Sequence, residues 1–222
     1  MQVSRAAIAL RLARQAQRLR QDEEGVSFLE FALILPILIT LGLYGTEVAY
    51  MAVVDLQVSQ IATSLADNAS RLGQTDNSAV TPTVTEAQID SVMTGALTAG
   101  SAIDFSANGR LILSSLEYDP TTQRQYIHWQ RCRGSLVRAS NYGPAWTGYT
   151  GGLPGMGKTG HIIKATTNSA VMYVEVTYQH HPLFGSMFVN NPRFHHEAAY
   201  LIRDDRNLTP GVTGSGGKSA CT

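Results

Sequence analysis

The sequence predicts an α+β protein in which a long amino-terminal helix, apolar in its first half, precedes a domain built on an antiparallel sheet. Three observations lead to this fold class. Residues 26–45 carry a single charge, the residues after them place apolar side chains at helical spacing, and the second half of the chain alternates apolar and polar residues. A length of 222 residues accommodates one domain and an anchor.

The first element is the apolar run Val26–Gly45, whose sequence is VSFLEFALILPILITLGLYG. A helix of about 20 apolar residues crosses the hydrocarbon core of a bilayer, so the run predicts a transmembrane helix with lipid as its partner. Residues 1–24 contain five arginines, and positive flanks stay in the cytoplasm. The amino terminus is therefore expected inside and the rest of the chain outside. A cleaved secretory signal is rejected, because its apolar core would be shorter.

The helix is expected to continue as an amphipathic extension over residues 46–72. Apolar residues at spacings of three and four fall on one face: Val54, Val58, Ile61, Leu65, Ala69 and Leu72. A stripe of this kind is more often covered by the chain's own domain than by a partner protein. We expect the same here, with a partner's surface as the alternative.

The outer α+β domain is expected at residues 73–208. A polar connector, Gly73 to Thr83, precedes a capping box at Thr85 and Gln88, which begins a short helix that ends by Gly100. Alternating residues then predict strands, the first two of them joined by a hairpin: Arg110–Tyr118, Tyr126–Cys132, Val171–Tyr178 and Glu197–Arg203.

Two finer expectations concern this domain. In the second strand, Ile127 and Trp129 should share one face, with His128 and Gln130 on the other. Residues 209–222 are rich in glycine and serine and predict a flexible tail, unless Cys221 is held by Cys132.

Cysteine count and charge exclude several classes of protein. Cys132 and Cys221 form no CxxC pair, which excludes a zinc ribbon or a thioredoxin-like site. An even number of cysteines in an exported domain favours one disulfide between them, and two unrelated thiols are the alternative. Basic and acidic residues number 17 each, so no nucleic-acid partner is expected.

Glu30 is the charge inside the apolar run. A carboxylate deep in hydrocarbon costs about 2.5–3.5 kcal/mol even on lenient insertion scales, and less near the interface. If the chain were cut after Gly25, Val26 would gain a free ammonium group. That amine, on a neighbouring copy or subunit, is the natural partner for Glu30. The alternative is a glutamate that reaches the membrane edge by itself.

The pattern as a whole resembles the amino terminus of a type IV prepilin: a charged leader, Gly25, an apolar helix and an acid five residues beyond the glycine. It looks most like the TadE-like pseudopilins of tight-adherence (Flp pilus) systems, in which Glu-Phe follows the glycine and Leu-Pro lies within the helix. Glu30-Phe31 and Leu35-Pro36 match that signature. VEVTYQHHPLF at 174–184 and EAAYLIR at 197–203 are also similar to the family, more weakly, and the region between 50 and 171 is not.

This resemblance implies a pilin-like fold and a prepilin peptidase that cuts between Gly25 and Val26, with residues 1–25 as the leader. Glu30 and Phe31 would then take part in assembly, and Pro36 is expected to kink the helix. The implied partners are an inner-membrane assembly platform, the major Flp pilin and a second minor pseudopilin. The mature subunit would be held in the inner membrane with its outer domain in the periplasm, and could enter an extracellular pilus that supports adhesion. An uncleaved, single-span periplasmic scaffold protein is the alternative.

A glycine-rich stretch at 140–160 is expected to form a long exposed loop. Tyr142, Trp146 and Tyr149 on it could contact a partner subunit or fold back as a lid on the sheet. Within it, Gly152–Thr159 (GLPGMGKT) matches the phosphate-binding P-loop pattern, which needs a buried strand before it and a helix after it. Neither is predicted here, so a nucleotide hydrolase using Lys158 is only a distant alternative.

Paired histidines occur at 180–181 and 195–196. Because adjacent residues on a strand point to opposite faces, each pair offers one ligand in any direction. Two imidazoles with Glu197 or Asp204 could bind zinc weakly, but structural or surface histidines are the favoured interpretation. We therefore expect no metal, no cofactor and no catalytic residues, and the protein is not expected to be an enzyme.

Overall fold

The computed structural model describes residues 13–18, 24–73, 81–203 and 205–221, and it divides into two compact units, Met1–Val48 and Ala49–Thr222. Residues 13–18 are helical. Most of the predicted leader, seven residues of the predicted connector (74–80) and Asp204 lie outside the described residues. The principal elements are helices α1 (Glu24–Ser70), α2 (Glu86–Ala99) and α3 (Phe105–Asn108), and strands β1 (Val84–Thr85), β2 (Gly109–Asp119), β3 (Arg124–Arg133), β4 (Ala170–Gln179), β5 (Arg193–Leu201) and β6 (Val212–Thr213).

A four-stranded antiparallel sheet with the order β3-β2-β4-β5 forms the centre of the second unit. Together with α1 it confirms the predicted α+β class and the long amino-terminal helix. Strands β2, β3 and β4 match their predicted positions within two residues at either end. β5 begins four residues before the predicted Glu197 and ends two residues before Arg203. The polar residues Arg193, His195 and His196 hide its alternation in the sequence, and pairing with β4 sets its bounds instead.

One face of the sheet, called here the helix face, is covered by α2 and by the part of α1 after Val48. The predicted stripe on α1 is buried there from Val54 to Ala69, and Leu72 packs against the same cluster half-buried. The expectation that the chain's own domain covers the stripe is confirmed. Each Val, Ile or Leu fully buried in this way contributes about 1.5–3 kcal/mol to folding.

Helix α2 begins at the predicted capping box. The side chain of Thr85 accepts a hydrogen bond from the backbone N–H of Gln88, and the side chain of Gln88 accepts one from the backbone N–H of Thr85. Two otherwise unpaired donors of the first turn are thereby satisfied. Ile89, Met93 and Ala96 then point into the cluster on the helix face.

The opposite face of the sheet, called here the loop face, is covered by residues 134–169, the covering loop. Met156 and Ala165 are buried against Val171 and Tyr173 of β4. The side chain of Gln125 also fastens the loop, since it bonds to both the backbone N–H and the carbonyl of Ala165. The prediction of a long exposed loop at 140–160 is therefore wrong in part, because Met156 is buried. β4 is buried on both sides, as the central strand of a covered sheet must be.

A β-bulge explains a second difference from the sequence prediction. The register of β2 with β3 shifts between Ser115 and Leu116, so Ser115 pairs with Trp129 and Leu116 with Ile127. His128 is the additional residue between them. Ile127 consequently packs on the loop face and Trp129 on the helix face, and the expectation that they share a face is wrong.

The carboxy-terminal segment is ordered by contacts with distant parts of the chain, in contrast to the flexible tail predicted at 209–222. Val212–Thr213 forms β6, a short parallel pair with β1. Asp90 of α2 accepts hydrogen bonds from the backbone N–H of Lys218 and from the hydroxyl of Ser219. Cys221 is joined to Cys132 by a disulfide, the condition under which the tail was not expected to be flexible.

Arg206 closes the carboxy-terminal end of α1, which lies at Ser70 instead of the predicted Leu72. Its guanidinium is buried and donates hydrogen bonds to the carbonyls of Ala69 and Ser70, at 3.4 and 3.2 Å. The same carbonyls also accept hydrogen bonds from the backbone N–H groups of Leu72 and Arg203, and a cation favours the negative end of the helix dipole. Burial lowers the pKa of Arg206 to about 10, so it remains charged at neutral pH.

Replacing both cysteines of the disulfide by serine (C132S with C221S) is expected to lower the free energy of unfolding by about 2–4 kcal/mol, because a cross-link restricts the unfolded chain. The bond spans 89 residues and holds the tail against β3. Thermal unfolding of the full chain in detergent, followed by circular dichroism, measures the effect. Reducing agent should lower the wild-type midpoint and leave that of the double variant unchanged. Equal midpoints for the two proteins would contradict a stabilising cross-link.

Candidate functional site

The first candidate site is the amino-terminal half of α1, within the first unit. Among the described residues, α1 is the one helix long and apolar enough to cross a membrane, and none of its most apolar stretch is buried. Apolar side chains are exposed around its whole circumference: Val26, Phe28, Leu29, Phe31, Leu33, Ile34, Ile37, Leu38, Ile39 and Leu41. A helix that is apolar on every side needs an apolar environment. This helix is therefore compatible with a single-pass membrane anchor.

Gly25 and Val26, between which the resemblance implies cleavage, lie in the first turn of α1. Val26 is half exposed. A Cβ atom added to Gly25 would meet no other atom within 4 Å. The chain's own fold therefore does not require glycine at this position. A requirement for glycine here would have to come from another molecule that binds the segment.

Glu30 lies one turn further along α1, with its side chain exposed among apolar neighbours. No described residue forms an ion pair or hydrogen bond with its carboxylate. Phe31 beside it is 56% exposed. An acid and an aromatic side chain are thus presented together on the surface of an apolar helix, and a charge left there without a partner or water is costly.

Pro36 lies inside α1, and the helix continues through it. Proline has no N–H to donate to the carbonyl four residues earlier, which weakens the helix at this point. The hydroxyl of Thr40 donates a 2.7 Å hydrogen bond to the carbonyl of Pro36. The kink that the sequence predicts stays a prediction.

The aromatic residues of the covering loop divide between the two roles considered for them. Tyr142 folds back on the sheet, and its ring stacks edge-to-face on Tyr173 at 5.2 Å. Trp146 and Tyr149 stay 56% and 47% exposed and pack on each other and on Tyr126. Tyr142 therefore belongs to a lid, and the exposed pair is free to contact another molecule.

The stretch that matches the P-loop pattern does not have the P-loop's local structure. No strand of the described sheet leads into Gly152, and no helix follows Thr159. Instead Met156 and Ile163 form an antiparallel bridge, with Lys158 and Thr159 in the turn between them. Gly155 and Gly157 adopt positive φ to make this turn. Backbone N–H groups that would surround a phosphate at a helix start are not assembled here.

The four paired histidines lie in four different environments. His180 is buried between the rings of Tyr50 and Phe194, and His181 bonds to Asn108. His196 points to the helix face, where its Nε2 lies 2.7 Å from Asp55 of α1. His195 points the other way, toward the covering loop and the carboxylates of Glu197 and Glu175. Glu197 is a ligand candidate predicted from the sequence, whereas Glu175 is identified only in the structure. No local sequence pattern indicates Glu175 as a ligand, because only the register of β4 with β5 brings it opposite Glu197.

Fold and sites together define an α+β protein with an exposed apolar helix suited to membrane anchoring. No family model, curated protein or solved structure matches the chain. What the protein does must therefore follow from its own residues and their arrangement.

Proposed function

We propose that the protein is a TadE-like minor pseudopilin, which is processed by a prepilin peptidase and takes part in assembling a tight-adherence (Flp) pilus or its secretion apparatus. The observation that supports this most is the exposed carboxylate of Glu30, without a partner among the described residues, five residues beyond Gly25 in an apolar helix. Cleavage before Val26 would give a neighbouring subunit the ammonium group that this carboxylate needs.

The arrangement of charge and disulfide supports an inner-membrane location, with the amino terminus in the cytoplasm and the second unit in the periplasm. Five arginines precede the apolar run, and such flanks stay on the cytoplasmic side. The disulfide between Cys132 and Cys221 belongs in an oxidising compartment, as the bacterial periplasm is. Both features agree on the side of the membrane that each end of the chain would occupy.

The size of the second unit favours an accessory role over that of the main fibre subunit. It comprises Ala49–Thr222, with a sheet covered on both faces. Major Flp pilins are little more than the helix. The implied partners are the major Flp pilin, a second minor pseudopilin and the inner-membrane assembly platform. Trp146 and Tyr149 on the covering loop are available for one such contact.

An uncleaved membrane-anchored scaffold protein is the second candidate, supported by the same exposed apolar helix. It differs in one respect, since it would keep residues 1–25. A nucleotide hydrolase is disfavoured by the local structure around Lys158, described above.

The intact mass and amino-terminal sequence of the protein from its native membrane test the proposal. We expect a chain that begins at Val26, 25 residues shorter than the sequence from Met1. A chain that still begins at Met1 would contradict processing and leave the scaffold protein as the better account.

A further inference from the structure

Three potential metal ligands lie together on the loop face of the sheet, within the second unit. Glu175 of β4 pairs directly with Glu197 of β5, and His195 precedes Glu197 by two residues on the same strand. Because residues two apart on a strand point to the same side, all three side chains project from one face. Their ligand atoms lie within 4.8 Å of one another. We call these three residues the carboxylate–histidine cluster.

The imidazole of His195 is held at both nitrogens. Nδ1 lies 3.0 Å from the hydroxyl of Thr177, and Nε2 lies 3.1 Å from Oε1 of Glu197. When the proton is on Nδ1 and is donated to Thr177, the lone pair of Nε2 faces the carboxylates. Hydrogen bonds of this kind orient the histidine ligands of metal sites and fix their tautomer.

The two carboxylates are also held in place, by residues of the covering loop and of β4. Glu175 accepts hydrogen bonds from the hydroxyl of Ser140 and from the backbone N–H of Asn141. Glu197 accepts them from the hydroxyls of Tyr142 and Tyr173, at 3.1 and 2.8 Å. Ligands fixed by an outer shell in this way lose little freedom when they bind an ion.

The cluster carries an excess of negative charge in a poorly solvated place. The side chain of Glu175 is almost completely buried. Two carboxylates that face each other favour any arrangement that adds positive charge between them. A divalent cation bound directly to both carboxylates would place positive charge between them.

A cavity of about 310 Å³ adjoins the cluster and is lined by His195, Glu197 and Tyr173 on one side. Lys158 and His161 of the covering loop line it as well, and His196 borders it although its Nε2 bonds to Asp55 on the helix face. The cluster has two carboxylates, and the cavity lining includes a single lysine, Lys158. The cavity has room for an ion and several waters, since one water occupies about 30 Å³.

We propose that the carboxylate–histidine cluster binds a divalent transition-metal ion, for which Zn²⁺ is the best fit. One imidazole nitrogen and two carboxylate oxygens are ligands that zinc accepts in tetrahedral sites, with water in the fourth position. Nδ2 of Asn141, a donor 3.1 Å from Nε2 of His195, would be displaced when the ion takes the lone pair of Nε2. The ion would bridge β4, which carries Glu175, and β5, which carries His195 and Glu197. This site is built from residues of the second unit alone and does not depend on the proposed role in pilus assembly.

The test uses the full chain in detergent, stripped of metal with a chelator and then titrated with zinc chloride against a chromogenic zinc indicator. We expect one zinc ion per chain. His195→Asn and Glu197→Gln should each weaken zinc binding by at least about tenfold, since loss of an outer-shell partner alone costs about 10–100-fold.

His196→Asn is the matched control, because it removes the same type of residue one position along the strand. Its side chain points to the helix face and bonds to Asp55, so zinc affinity should stay at the wild-type value. Circular dichroism of each variant without zinc establishes that the fold is retained.

Three results would overturn the proposal. They are no zinc uptake by the wild-type chain, wild-type zinc affinity in a folded His195→Asn variant, or a loss of zinc affinity in His196→Asn as large as that in His195→Asn. If neither ligand variant folds, Thr177→Val decides, because it removes only the hydroxyl that orients His195. It should weaken zinc binding by about 10–100-fold, and unchanged affinity would contradict a site at His195.

Discussion

Replacement of Gly25 by valine is expected to leave the chain uncleaved, with residues 1–25 still attached. A peptidase pocket that fits glycine would be overpacked by valine at a cost of about 1–3 kcal/mol, which slows cleavage about tenfold to hundredfold. The chain's own structure has open space around Gly25, so the substitution should not disturb α1. Intact mass of the membrane-extracted protein measures the cleaved fraction.

Gly45→Val is the matched control for this prediction. Gly45 lies in the same helix, and it too has no atom within 4 Å of an added Cβ. Processing of this variant should equal that of the wild-type chain. If the Gly25 variant were cleaved as completely as the control, no glycine-specific peptidase would act at this position.

Glu30→Ala is expected to leave cleavage intact and to abolish most assembly. The amino-terminal ammonium of a neighbouring subunit would then lie without a counter-ion in a low-dielectric environment. Removing one partner of such a pair costs about 3–5 kcal/mol, which lowers the association constant of the subunit by at least about a hundredfold. Intact mass reports processing, and immunoblots of pili sheared from cells report assembly.

The position of the carboxylate, and not its mere presence, should decide the outcome. Ile34 lies one turn after Glu30 on the same face of α1 and is 51% exposed. A double variant with Glu30→Ala and Ile34→Glu restores the charge at the wrong depth, and we expect it to stay defective. Normal piliation in either variant would contradict the pairing of Glu30 with a neighbour's amine.

Several parts of the fold could be predicted because their signals are local. The capping box at Thr85 and Gln88 lies within one turn and forms as expected. The stripe from Val54 to Leu72 follows from helical spacing alone, and β4 follows from alternation. For these elements, the residues that determine the structure are neighbours in the chain.

Other features depend on residues far apart and had no reliable signal in the sequence. The bulge at His128 arises from the pairing of two complete strands, and it moves Ile127 to the face opposite Trp129. Arg206 caps the carboxy-terminal end of α1, although it lies 136 residues after Ser70 in the chain. The covering loop is rich in glycine, yet Met156 within it is fully buried because the sheet beneath it is apolar.

The candidate sites divide in the same way. The sequence by itself determined the apolar segment, with Gly25, Val26, Glu30 and Phe31 in fixed spacing along one helix. Only the tertiary structure decided the carboxylate–histidine cluster, because Glu175 and Glu197 meet through the register of two strands. A helix fixes the relation of residues a few positions apart, whereas a sheet joins residues whose separation depends on every turn between them.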